Sequence, residues 1–125
     1  MTNVPTNPTL AEALEKIVGS ALSSVTFVAD YVQLDFDGPN LTAYTLPIVR
    51  LGSQHIEWEQ PGYRDALCGQ IGRRVERVAV DDQHVSVMFE DSAAISISLL
   101  DGDYTGPEAL QFRLDQKRPE RIWVV

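Results

Sequence analysis

His55, Glu57 and Glu59 alternate along one stretch of the chain. In an extended strand, side chains two positions apart share a face about 7 Å from one another, so a divalent cation could bridge two of these groups with help from another element. Nothing else in the sequence points to that position, and the stretch reads first as the wet face of a strand. A second acidic group, Asp101, Asp103 and Glu108, lies on a loop containing Gly102 and Gly106, which suggests calcium. The spacing does not fit. A helix–loop–helix calcium site needs oxygen ligands at positions 1, 3 and 5, glycine at 6 and glutamate at 12, whereas glycine here falls at 2 and 6 and glutamate at 8. Thr105-Gly106-Pro107-Glu108 is better explained as a helix start, with a cap, proline at the first helical position and an acid in the first turn. The three acids remain candidate binding groups, no resident metal is expected, and the cofactor expectation is none.

Nucleophilic catalysis finds little support. Cys68 follows Ala66 and Leu67, a context in which a lone cysteine is expected to be a small core residue. His84 falls in a predicted turn, and the chain has neither G-x-S-x-G, nor CxxC, nor a glycine-rich phosphate loop. Any enzyme built on this chain would work with carboxylates alone, on solvent faces where nothing raises a pKa. The expectation is a protein that is not an enzyme. Among the aromatics, Trp58 and Trp123 each fall near the end of one half and are expected to plug the core. Tyr63 and Tyr104 lie in turn-rich stretches and are the interface candidates.

Eighteen acidic against ten basic residues give a formal charge of −8 over 125 residues. Such a surface repels phosphate, which argues against nucleic acid and favours a basic protein partner. Arg73, Arg74 and Arg77, and then Lys117, Arg118 and Arg121, are read as solvated groups that compensate Glu76, Asp115 and Glu120. A single cysteine precludes an intrachain disulfide, no apolar run is long enough to cross a bilayer, and no basic-then-apolar leader opens the sequence. A cytoplasmic protein without membrane contact is expected.

The elements that would position these groups are legible in part. Residues 1–8, polar with Pro5 and Pro8, read as a flexible tail. Thr9 and Glu12 form a capping box, so a helix begins at Leu10, buries Leu10, Leu14, Ile17 and Val18, and stops at Gly19. Period-two alternation then predicts strands around Val25–Phe27, Val32–Phe36 and Leu41–Ala43, with a turn at Asp37-Gly38, and a further strand over His55–Glu59. After Pro61-Gly62 a weaker helix is expected over Arg64–Gln70. Strands follow at Arg74–Val80, His84–Phe89 and Ala94–Leu99, then at Leu110–Leu114 and Ile122–Val125.

The two halves match one another. An offset of 53 places residues 14–36 over 67–89 without a gap, pairing among others Leu14 with Leu67, Gly19 with Gly72, Leu22 with Val75, Val32 with Val85 and Phe36 with Phe89. The fold class expected is α+β: two tandem helix-plus-antiparallel-meander repeats, residues 9–60 and 61–125, packed as one domain with pseudo-twofold symmetry. Open meander edges favour a homodimer.

One run carries a resemblance. It comprises Leu67, Ile71, Gly72, Val75 and Val78, then Val85, Val87, Phe89, Asp91, Ser92, Ile95 and Ile97, and finally Tyr104, Gly106, Pro107, Glu108 and Ala109. This run resembles small bacterial domains of unknown function, some of which are similar to immunity proteins of polymorphic toxin systems. Ser92 stands where that pattern has a turn glycine. The resemblance implies a bacterial, cytoplasmic, non-catalytic protein and transfers no functional residue. The reading that follows is a small acidic interaction or immunity-like module. The alternative is a small-molecule or metal-binding domain with its site between the repeats, and a carboxylate-based enzyme is more distant.

Overall fold

The computed structural model describes residues 9–114 and 122–125, so the expected tail over residues 1–8 and the basic group Lys117, Arg118 and Arg121 lie outside the described residues. The fold is α+β: two five-stranded antiparallel sheets with few, short helices.

Helix α1 spans Leu10–Leu14 and begins as its capping box dictates. The Thr9 hydroxyl accepts from the Glu12 amide at 3.2 Å, and the Glu12 carboxylate accepts from the Thr9 amide at 3.3 Å. The helix then tightens into a single 3₁₀ turn, Glu15–Ile17, and Val18 is already extended. Val18 therefore leaves the buried helical face on which it was expected and is exposed. Gly19 reverses the chain at φ 88°, where a Cβ would be strained.

Strands β1 (Ser24–Val28), β2 (Tyr31–Asp35) and β3 (Asn40–Ala43) form a meander, with the Asp37-Gly38 turn in left-handed backbone at φ 57° and 128°. Next come β4 (Ile48–Leu51) and β5 (Gln54–Ile56), then α2 (Tyr63–Cys68). A second meander, β6 (Val75–Val80), β7 (His84–Phe89) and β8 (Ala94–Ser98), precedes a 3₁₀ turn at Asp101–Asp103. The hairpin β9 (Leu110–Arg113) and β10 (Ile122–Val124) completes the described fold.

The hairpins do not stay with the meanders that precede them. One sheet runs β1-β2-β3-β9-β10 and the other β5-β4-β8-β7-β6. Each half does form an antiparallel meander, β1-β2-β3 and β6-β7-β8, but β4 was not foreseen at all. Pro107 and Glu108 do not start a helix either. Backbone groups of that segment are taken by neighbours: Tyr44 and Thr45 donate to the Ala109 carbonyl at 2.7 and 3.0 Å, and the Ala109 amide donates to Val125 at 2.6 Å. A packed extended course there outweighs local helix chemistry.

Inward residues of both sheets and both helices form one apolar cluster, with Phe36, Phe89, Phe112, Leu14 and Leu67 fully buried. Cys68 is exposed rather than buried. Helix α2 directs Tyr63, Ala66 and Leu67 inward at spacings of three and four, which rotates Cys68 away from the core. Among the described residues, no helix is long and apolar enough to cross a membrane.

Candidate functional site

The predicted metal face does not form. Strand β5 ends at Ile56, and the chain turns through Glu59 in left-handed backbone at φ 75°, so His55, Glu57 and Glu59 no longer alternate on one strand. Glu57 instead donates its amide to the Gln60 side chain at 2.6 Å, which locks the turn. No cluster of three or more His, Cys, Asp or Glu side chains suited to a metal occurs among the described residues. The second acidic group is also dispersed. Asp103 accepts the Ser98 hydroxyl at 2.5 Å and so fastens its own loop to the end of β8, while Asp101 is exposed. Glu108 borders a separate cleft beside Asp30 and Tyr44.

The aromatic assignments are exchanged. Tyr63, an interface candidate by sequence, is 3% exposed and donates its hydroxyl to the Pro47 carbonyl. Burial holds its phenol well above the usual tyrosine range. Tyr104 is half-buried. Trp58, expected in the core, is 38% exposed, because the turn after β5 carries it past the end of the alternation. Its ring meets Tyr63 edge-on at 5.7 Å, and the Arg64 guanidinium sits 5.3 Å from its centroid and 5.4 Å from that of Phe27. Both are cation–π distances. Three clefts of about 410, 140 and 250 Å³ adjoin Trp58. Carboxylates edge them: Glu59 and Asp65 on one side, Glu57 and Asp103 on another.

A second, differently built concavity lies on the outward face of β2, β3 and β9, with a volume of about 360 Å³. Strand register arranges its side chains in rows. Asp35, Asn40 and Arg113 face one another across three strands, and Gln33, Thr42 and Gln111 form the next row. Tyr31 and Tyr44 close the end, ring centroids 5.5 Å apart. The groups are tied together. Asp35 accepts from Ser24 at 2.9 Å and from Asn40 at 2.7 Å, Thr42 donates to Asn40 at 3.0 Å, and Tyr44 donates to Gln111 at 3.3 Å. Desolvation, followed by the nearby Glu108 carboxylate and Tyr31, raises the Tyr44 phenol, which stays protonated and able to donate. Sequence reading missed this face because its residues are strand-alternate polar positions, which look like ordinary solvent exposure until register juxtaposes them.

The chain matches no protein-family model, no curated protein and no solved structure.

Proposed function

We propose that this chain is a non-catalytic protein-interaction module, immunity-like in kind, which receives a basic protein partner on the Trp58 patch in a reducing cytoplasm. The observation that carries this reading is the exposed Trp58 held between Tyr63 and Arg64, with clefts on several sides and carboxylates at their edges. Tryptophan, tyrosine and arginine are the residue types that dominate interface energetics when a partner desolvates them. The net charge of −8 adds long-range attraction for a basic partner, which acts chiefly on association rate and selectivity.

The same reading takes the fold as a fused pair of repeats in which each half lends its second hairpin to the other sheet. Hydrogen bonds at the junction of the halves support it. Gly19 donates to Val75 at 2.8 Å and Gly72 to Leu22 at 2.8 Å, while Leu22 donates to Arg73 at 3.0 Å and Val75 to Ser20 at 2.9 Å. Each bond maps onto its counterpart under the offset of 53, and the Ala21–Arg74 bridge between them maps onto itself.

Native mass spectrometry of the protein isolated gently from its own cells, beside a Trp58→Ala variant, tests the proposal. The expected result is a stoichiometric partner of high pI, released by added salt and bound at least about thirtyfold more weakly by Trp58→Ala, a loss of roughly 2 kcal/mol. An acidic partner, or equal retention by both proteins, would overturn it. The same spectra read the homodimer proposed from the edge strands β1, β5, β6 and β10.

A further inference from the structure

The two sheets share a strand plan but differ in what they present outward. In the sheet containing β7, β8 and β4, the rows are Met88, Ala94 and Arg50, then Ser86, Ser96 and Ile48. The corresponding rows of the other sheet are Asp35, Asn40 and Arg113, then Gln33, Thr42 and Gln111. One frame therefore folds with methionine, alanine and isoleucine where the other carries a carboxylate and two amides. Folding does not require those polar groups.

We propose that the groove over β2, β3 and β9 is a binding site for a neutral sugar ring. Carboxylate, primary amide and guanidinium groups each offer two polar atoms in one plane, a spacing that suits neighbouring hydroxyls acting as both donors and acceptors. The groove supplies one carboxylate, three amides and one guanidinium within two strand spacings, roughly 10 Å. Its acceptors are already oriented, since Ser24 and Asn40 fix the Asp35 carboxylate from both sides while lone pairs stay available. Arg113 lines the groove, and no described residue forms a hydrogen bond or ion pair with its guanidinium.

Tyr31 and Tyr44 line one end of the groove, their rings tilted against each other with centroids 5.5 Å apart. Thr42, at the floor, points outward yet is only 6% exposed, because polar neighbours such as Gln33 and Asn40 cover it. A volume of about 360 Å³ lies within the range of small-ligand sites. Charge selects the class further. The overall −8 disfavours anionic ligands, and within the groove Asp35 and Arg113 offset one another, leaving a neutral hydroxylated molecule as the best match.

Amide-resolved NMR titration with the methyl glycosides of glucose, galactose, mannose and N-acetylglucosamine tests this inference on the whole chain. At least one should saturate shifts at Gln33, Thr42 and Gln111 with a dissociation constant of about 1 mM. Arg113→Ala and, separately, Gln111→Ala should each weaken it roughly tenfold while core amides such as those of Leu34 and Ile95 keep their positions. Trp58→Ala should bind the sugar as the wild type does, which separates this site from the protein-docking patch. The inference fails if none of the four saturates at the groove by about 100 mM, a hundredfold above that affinity, if shifts gather elsewhere, or if both groove variants bind unchanged.

Discussion

Gln70 is 4% exposed, and its Oε1 finds no hydrogen-bond partner among the described residues. An orphaned buried carbonyl costs its desolvation, whereas an apolar group of similar shape does not. The offset of 53 pairs this position with Ile17, which is fully buried. Gln70→Leu should therefore stabilise the fold by about 1 kcal/mol, read as a higher urea midpoint at unchanged slope; a lower midpoint would mean that the amide serves a purpose in the core. Tyr63 presents the opposite case, a buried polar group that is satisfied. Tyr63→Phe removes the donor to the Pro47 carbonyl and should cost roughly 1–2 kcal/mol at neutral pH. The folded-state phenol titrates above its ordinary value of 10.0 because it is desolvated, so the folded state holds the proton more tightly than the unfolded chain. The wild type's advantage over Tyr63→Phe is then complete below pH 10 and shrinks as pH climbs beyond it. Denaturation of both proteins at pH 8 and pH 10.5 checks the sign; a gap that widened with pH would contradict it.

Elements were legible where local chemistry and tertiary packing agree. The Thr9–Glu12 box and the Asp37-Gly38 turn appear where the sequence places them, whereas the helical stretch ends at Ile17, short of the expected Gly19 stop, and the Gly19 amide is satisfied at long range by the Val75 carbonyl. Strand β4 escaped notice because Ile48, Val49 and Leu51 form a short apolar run without alternation, although Pro47 and Gly52 bracket it. Pro107-Glu108 misled for the converse reason. Helix-start chemistry was present, but the Ala109 carbonyl and amide were claimed by β3's continuation and by Val125. Trp58 became exposed because its strand ends three residues before the expected Glu59, and Tyr63 became buried because it opens α2 on the helix's inward face. The polar groove could not be read from single strands at all. Its rows exist only because β9, about seventy residues along the chain from β3, pairs with it.

At the scale of the molecule, the exchange of hairpins governs how stability is shared. The chain leaves the first sheet after β3 to build β4 and β5 into the second, and returns after β8 to build β9 and β10 into the first. The second sheet is one continuous stretch, β4 to β8, inserted between β3 and β9 of the first, and the inward residues of both belong to one cluster. Loss of β4 and β5 would strip β8 of a ladder partner, and loss of β9 and β10 would do the same to β3. Unfolding one sheet therefore exposes the apolar face of the other, and a partly unfolded chain gains too little entropy to offset that exposure. The two tryptophans report on different parts of this arrangement. Trp123 lies on β10 with its ring 6.0 Å from Phe112 in the first sheet, whereas Trp58 follows β5 of the second. In urea, the single-tryptophan variants Trp58→Phe and Trp123→Phe should each give a fluorescence midpoint equal to that of their own far-UV circular dichroism, as a two-state transition requires. Separated midpoints within either variant would show that the sheets part independently, and that the exchanged hairpins join them in topology without coupling them in energy.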